Sequence, residues 1–132
     1  MKRIFLKKLK DEKGQNLVEF ALVLLLLLVI SLGIVEFGRA WFLADRLKNA
    51  ANIAARTYAV TQGTDPGVKA AAARAAAKTV IPELADADIV PIETGSQVTV
   101  TVSRRFETVV PGILPMLGDI TIPRDATYRL EN

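Results

Sequence analysis

The chain has 132 residues with 17 basic and 14 acidic side chains, and it contains neither cysteine nor histidine. That length accommodates one domain and a membrane segment, not two full cores. A domain outside the cytoplasm must therefore stand without disulfides, and the commonest general base and metal ligand is missing.

The charge is unevenly placed. Residues 1–14 hold six basic side chains (Lys2, Arg3, Lys7, Lys8, Lys10, Lys13) against Asp11 and Glu12, a net +4, whereas the remainder holds eleven basic and twelve acidic residues, a net −1. The excess lies directly before an apolar run, Phe20 to Val35, that is sixteen residues long and free of charge. Counted back to Leu17 the run is nineteen residues with one charge, Glu19, which is just long enough to span a bilayer as a helix. Basic residues ahead of a span keep that end in the cytoplasm, so everything after Val35 is expected outside it. A basic tail also suits nucleic acid, but this one abuts a span and lacks interleaved aromatic residues, so no nucleic-acid partner is expected.

Residues 1–14 read as a cytoplasmic leader. An ordinary secretory signal with a cut near Ser31-Leu32-Gly33 is the rival, and it is disfavoured because the hydrophobic pattern continues through Ile34, Val35 and Phe37. Glu19 would also stand where such signals carry positive charge. An acidic residue in a span costs roughly 2.5–3.5 kcal/mol at the helix centre and less near an end, so Glu19 needs a reason. The reading adopted is a cut between Gly14 and Gln15, which makes Glu19 the fifth residue of the mature chain.

The helix is expected to outrun the membrane, from Gln15 to Gln62, with residues 15–38 as the transmembrane part and 39–63 projecting. Glu36, Arg39 and Trp41 mark the outer membrane interface, where charged and aromatic anchors collect. Leu43, Leu47, Ala50, Ala51, Ala54 and Tyr58 then recur every three or four residues, the narrow stripe of an amphipathic helix, and Gly63 is the expected stop.

Asp65 and Pro66 suit the cap and first position of a second helix, about residues 66–79, rich in alanine and closed by Pro82. The last third changes period from 3.6 to 2. Val98, Val100 and Val102 alternate with Thr99, Thr101 and Ser103, and Phe106, Thr108 and Val110 keep the parity. Ile120, Ile122, Ala126, Tyr128 and Leu130 form a second alternating set, and Ile89 to Ile92 a third strand, held at an edge by Pro91. The projecting helices are the available cover for such a sheet. The fold class is thus α+β: a long N-terminal helix, a second short helix and a small antiparallel sheet forming a head over residues 64–132. The apolar connection Val110 to Gly118 is read as a flap over the sheet in preference to a partner surface.

No catalytic constellation is present. A nucleophile would need a Ser/Thr–Lys pair or paired carboxylates, and Ser31, Ser96 and Ser103 have no candidate lysine. The acidic residues Glu83, Asp86, Asp88 and Glu93 lack the loop spacing of a calcium site and read as a solvated turn. No enzyme activity, cofactor or metal is expected.

Gly14-Gln15-Asn16-Leu17-Val18-Glu19-Phe20-Ala21-Leu22-Val23-Leu24, followed by Gly33-Ile34-Val35-Glu36-Phe37-Gly38-Arg39-Ala40, resembles the TadE-like pseudopilins of Flp/Tad tight-adherence pili, within the wider type IV pilin-like group. The resemblance is specific over 14–59 and architectural beyond. It implies cleavage after Gly14 by a membrane-embedded prepilin peptidase, and a new N-terminus at Gln15. It also implies subunit assembly through the helix that carries Glu19 and Phe20. The implied partners are that peptidase, other pilin and pseudopilin subunits, the inner-membrane assembly platform and membrane lipid. The implied location is a single pass through the bacterial inner membrane with the head outside. Members often have a proline shortly after the Glu-Phe pair, and here unbroken leucine stands instead. Two rivals remain: a major pilin, against which the size of the head counts, and an uncleaved single-pass anchor for a binding or sensor module.

Overall fold

The computed structural model describes residues 2–109 and 120–130, with side chains from Gly14 onward. The elements run α1 (Lys2–Val60), α2 (Pro66–Val80), a short 3-10 turn (Asp86–Asp88), β1 (Ile89–Thr94), β2 (Gln97–Phe106) and β3 (Ile120–Arg129). The layout is α+β, as the change of period from 3.6 to 2 requires. The chain divides into two compact units, Met1–Gly38 and Arg39–Asn132.

Helix α1 is longer at its start than the expected Gln15. The first sixty residues contain no proline, and Gly14 alone, at roughly 1 kcal/mol against alanine, does not end a helix flanked by good formers. At its other end α1 stops at Val60, and Thr61 closes the last turn by donating both its backbone N–H (3.0 Å) and its hydroxyl (2.6 Å) to the Thr57 carbonyl. Gly63 follows with φ +115°, a conformation that side chains rarely adopt, so the expected stop acts two residues later as a reversal of the chain.

In the first unit the helix exposes leucine, valine, isoleucine and phenylalanine on every face between Leu17 and Val35. It is the one helix among the described residues long and apolar enough to cross a membrane. Every backbone N–H and C=O within such a helix is satisfied along its own axis, which is why this form suits lipid. The Ser31 hydroxyl is satisfied the same way, donating to the Leu27 carbonyl at 2.8 Å.

The second unit is the head. The Asp65 carboxylate accepts from the Gly67 N–H at 2.8 Å, with Pro66 at the first helical position, so α2 starts on the cap that its sequence offers. Its small side chains allow close packing: Ala73 and Ala77 are fully buried with Leu47, Ala50, Ala51, Ala54, Ala55, Tyr58 and Ala59 of α1. The α1 stripe is wider than expected, gaining Ala55 and Ala59, because the same helix is covered by α2 and by the sheet. The Arg46 guanidinium donates to the Val80 carbonyl at 2.7 Å and ties α1 to the end of α2.

The sheet is antiparallel in the order β1-β2-β3. Strand β1 lies at an edge, with Pro91 opposite Val100. Central β2 buries Val98, Val100, Val102 and Phe106 on one face, together with Ile89 of β1. Its opposite face carries threonines, of which Thr99 and Thr127 share a hydrogen bond at 2.8 Å across the strands. Strand β2 ends at Phe106, short of the alternation that suggested a strand through Val110, and Thr108 is outside the ladder. On β3 only Ala126 of the expected inward set is buried; Ile120 and Tyr128 are exposed and Ile122 and Leu130 half-buried. Being the other edge, β3 is only partly covered, with Ile122 and Leu130 packed at the margin of the core cluster. The stretch read as a flap, Val110 to Gly118, lies outside the described residues.

Candidate functional site

Gly14, Gln15, Glu19 and Phe20 are consecutive turns of α1, and all are exposed. Apart from the helix's own backbone and chain neighbours, no atom of the described residues lies within 4 Å of the position a Cβ on Gly14 would take, so nothing described in the fold demands glycine there. Glu19 follows Gln15 by four residues and shares its face. The surrounding surface, Leu17, Val18, Phe20 and the leucines that follow, is a convex apolar cylinder and not a cleft. What such a surface does chemically is pack against lipid chains or other apolar helices.

The three residues assigned to the outer membrane interface fall in different surroundings. Glu36 is buried, at 3% exposure, whereas Trp41 is 70% exposed. Arg39 is exposed, and its guanidinium carbon lies 5.4 Å from the centre of the Phe106 ring. The burial of Glu36 has no sequence signal, because its neighbours Val35 and Phe37 are exposed.

Elsewhere in the head, charged side chains are paired locally. Glu83 accepts from Arg104 at 2.8 Å, which draws its carboxyl below the usual range. Asp86 pairs with Lys78 at 2.6 Å with the same effect. Asp88 accepts the Ala85 backbone N–H at 3.0 Å and so closes the 3-10 turn. Glu83, Asp86 and Asp88 are therefore spent on ion pairs and a cap, and among the described residues no three acidic, His or Cys side chains gather as a metal set.

A second feature escaped sequence reasoning. Tyr58 ends the apolar stripe of α1 and is buried, and its hydroxyl meets the Glu93 carboxylate. Burial first, and then Glu93, push its pKa to about 12. Lys69 lies over the ring at 5.9 Å. The three residues are brought together by the α1–α2 reversal and by the register of β1, neither of which is visible as a spacing.

This arrangement of a long unpartnered apolar helix and a small α+β head is what the comparisons must account for. Residues 14–56 match the family described as TadE-like protein. The match begins at Gly14, takes in Glu19, Phe20, Glu36, Arg39 and Trp41, and ends at Arg56, an exposed residue of α1. The resemblance read from the sequence is borne out over that stretch, and α2 and the sheet lie outside it. The comparisons with curated proteins and with solved structures found no match to the chain.

Proposed function

We propose that the chain is a minor pilin-like subunit of a Tad/Flp-type pilus system, cut after Gly14 by a prepilin peptidase and acting by helix packing, not catalysis. The observation that carries the reading is that the TadE-like match starts at Gly14 and leaves the basic residues before it outside. In this reading those residues hold the N-terminus in the cytoplasm, the head lies outside the inner membrane, and the apolar cylinder packs first against lipid and then against other subunits.

The chemistry of the cut supports the same assignment. Glycine lets an extended backbone enter a protease cleft without a side chain to clash. Cleavage creates an α-amine of reference pKa about 7.7–8.0 at the edge of the lipid. Glu19 supplies a carboxylate where unpaired charge is expensive. In a bundle of such helices the amine of one subunit meets the carboxylate of a staggered neighbour.

Intact mass and N-terminal sequencing of the membrane-extracted protein test the reading. A mature chain beginning at Gln15, with 14 of the 132 residues gone, is the expected result. An N-terminus at Ile34, or an uncut chain in cells that hold the peptidase, overturns it in favour of a signal peptide or a plain anchor.

A further inference from the structure

The reversal between α1 and α2 leaves a cavity of about 770 Å³ in the head, walled by Lys69 of α2, Glu93 of β1, the reversal itself and two aliphatic side chains, Val60 and Leu130. All of these residues lie in the unit Arg39–Asn132. The size falls within the roughly 300–1,000 Å³ of small-molecule sites.

The two charged walls are opposite in sign, yet they do not close on each other. Elsewhere in the head Lys78 pairs with Asp86 at 2.6 Å and Arg104 with Glu83 at 2.8 Å. Among the described residues neither Lys69 nor Glu93 has an ion pair. Tyr58 engages both instead, with Lys69 over its ring at 5.9 Å and Glu93 at its hydroxyl. Tyr58 is 3% exposed and packed in the core, so its ring keeps its position and offers the cation and the carboxylate to the cavity at separate places.

The reversal adds polar groups. Gln62 and Thr64 are exposed, and the Thr61 hydroxyl, which donates to the Thr57 carbonyl at 2.6 Å, keeps its lone pairs to accept. Val60, half exposed, and Leu130, half-buried, supply an apolar wall. One cation and one carboxylate make the cavity neutral, which selects its ligand. A lone anion would meet repulsion from Glu93 and a lone cation repulsion from Lys69. A sugar would find no aromatic face, since no aromatic side chain of the described residues lines the cavity.

We propose that this cavity binds a short zwitterionic peptide with small aliphatic side chains, its terminal carboxylate on Lys69 and its terminal ammonium on Glu93. Charge-assisted hydrogen bonds at both ends fix its direction, and the aliphatic wall takes its side chains. The site gives the head a binding role of its own. It depends neither on the cut at Gly14 nor on pilus assembly, so its failure would leave that reading standing.

Alanyl-alanine is the probe, titrated by calorimetry into the full uncut chain in a nonionic detergent. A saturable midpoint is expected. N-acetylation or C-terminal amidation of the probe, each of which removes one charge, should raise that midpoint at least tenfold. Both comparisons use the unaltered protein, so they hold whether or not a variant folds. Lys69→Met and Glu93→Gln, checked for folding by circular dichroism, should each raise the midpoint at least tenfold as well. Lys78→Gln, outside the cavity, should leave it unchanged. No saturation at millimolar probe overturns the proposal. Equal midpoints for free and blocked probes overturn it in favour of apolar contact alone. Folded Lys69→Met and Glu93→Gln variants that bind normally, or an equal loss in Lys78→Gln, overturn it in favour of binding elsewhere.

Discussion

Gly14 and Tyr58 mark the two extremes of what one residue discloses. At Gly14 the surrounding space is open, so a side chain is compatible with the fold of the precursor, and any requirement for glycine belongs to what acts on the chain. Gly14→Arg is therefore expected to leave helix content unchanged by circular dichroism while abolishing conversion to the shorter form on an immunoblot. A variant that is cut normally would remove the protease-cleft argument. Tyr58 is the reverse case, legible as one more apolar position of a stripe and silent about Glu93, thirty-five residues away. Its pKa is raised from 10.0 to about 12, so the folded state favours the neutral phenol. The stability this brings is complete below pH 10 and is lost as pH rises from 10 to 12. Chemical denaturation across pH 9–12, with Tyr128→Phe so that absorbance follows Tyr58 alone, should show that loss. Tyr58→Phe should flatten it, and a loss of equal size in Tyr58→Phe would assign the alkaline transition to other groups.

At the scale of the element, legibility followed the number of covered faces. Strand β2 is central and packed by helices on one face, so strict alternation in Val98, Val100 and Val102 translated directly into burial. Strand β3 alternates as well, but it is an edge, and alternation states which residues share a face without stating whether anything covers it. Helix α2 was legible from its cap, since Asp65 and Pro66 are local signals, whereas which alanines touch the core depends on the approach of α1 and is not. Ala73 and Ala77 are fully buried and Ala75 is exposed. Ala77→Leu is expected to destabilise the head by about 1–3 kcal/mol through overpacking. Ala75→Leu should stay within about 0.5 kcal/mol, as surface substitutions do. Urea denaturation monitored by far-ultraviolet circular dichroism compares the two, and equal effects would mean that α2 is not seated by this face. The start of α1 differs from the expected Gln15 for a related reason. Charge and cleavage pattern mark a processing boundary at Gly14, but a backbone without proline has no cause to break there.

At the scale of the whole molecule the open question is why a chain carries a carboxylate into an apolar helix. Glu19 lies about 6 Å along the axis from the amine that a cut after Gly14 would free, four residues at 1.5 Å each. Amine and carboxylate share a face within one subunit, yet the side chain must stretch back along the axis to close that pair. In the proposed reading, a staggered neighbour would meet it without that stretch. Glu19→Leu removes the insertion cost and the counter-charge together, and membrane retention and co-purification report the two separately. If the carboxylate serves assembly, the variant is cut normally and held firmly in the membrane, yet co-purifies poorly with pilus subunits. Glu19→Gln is expected to fall between, because an amide hydrogen-bonds but brings no charge. The same logic covers the new N-terminus. Where Gln15 cyclises, mass spectrometry reads a loss of ammonia, the amine is gone, and that fraction should be depleted from assembled material. Glu19→Leu assembling as well as the unaltered subunit would reduce Glu19 to an interface residue and leave the apolar cylinder alone to hold subunits together.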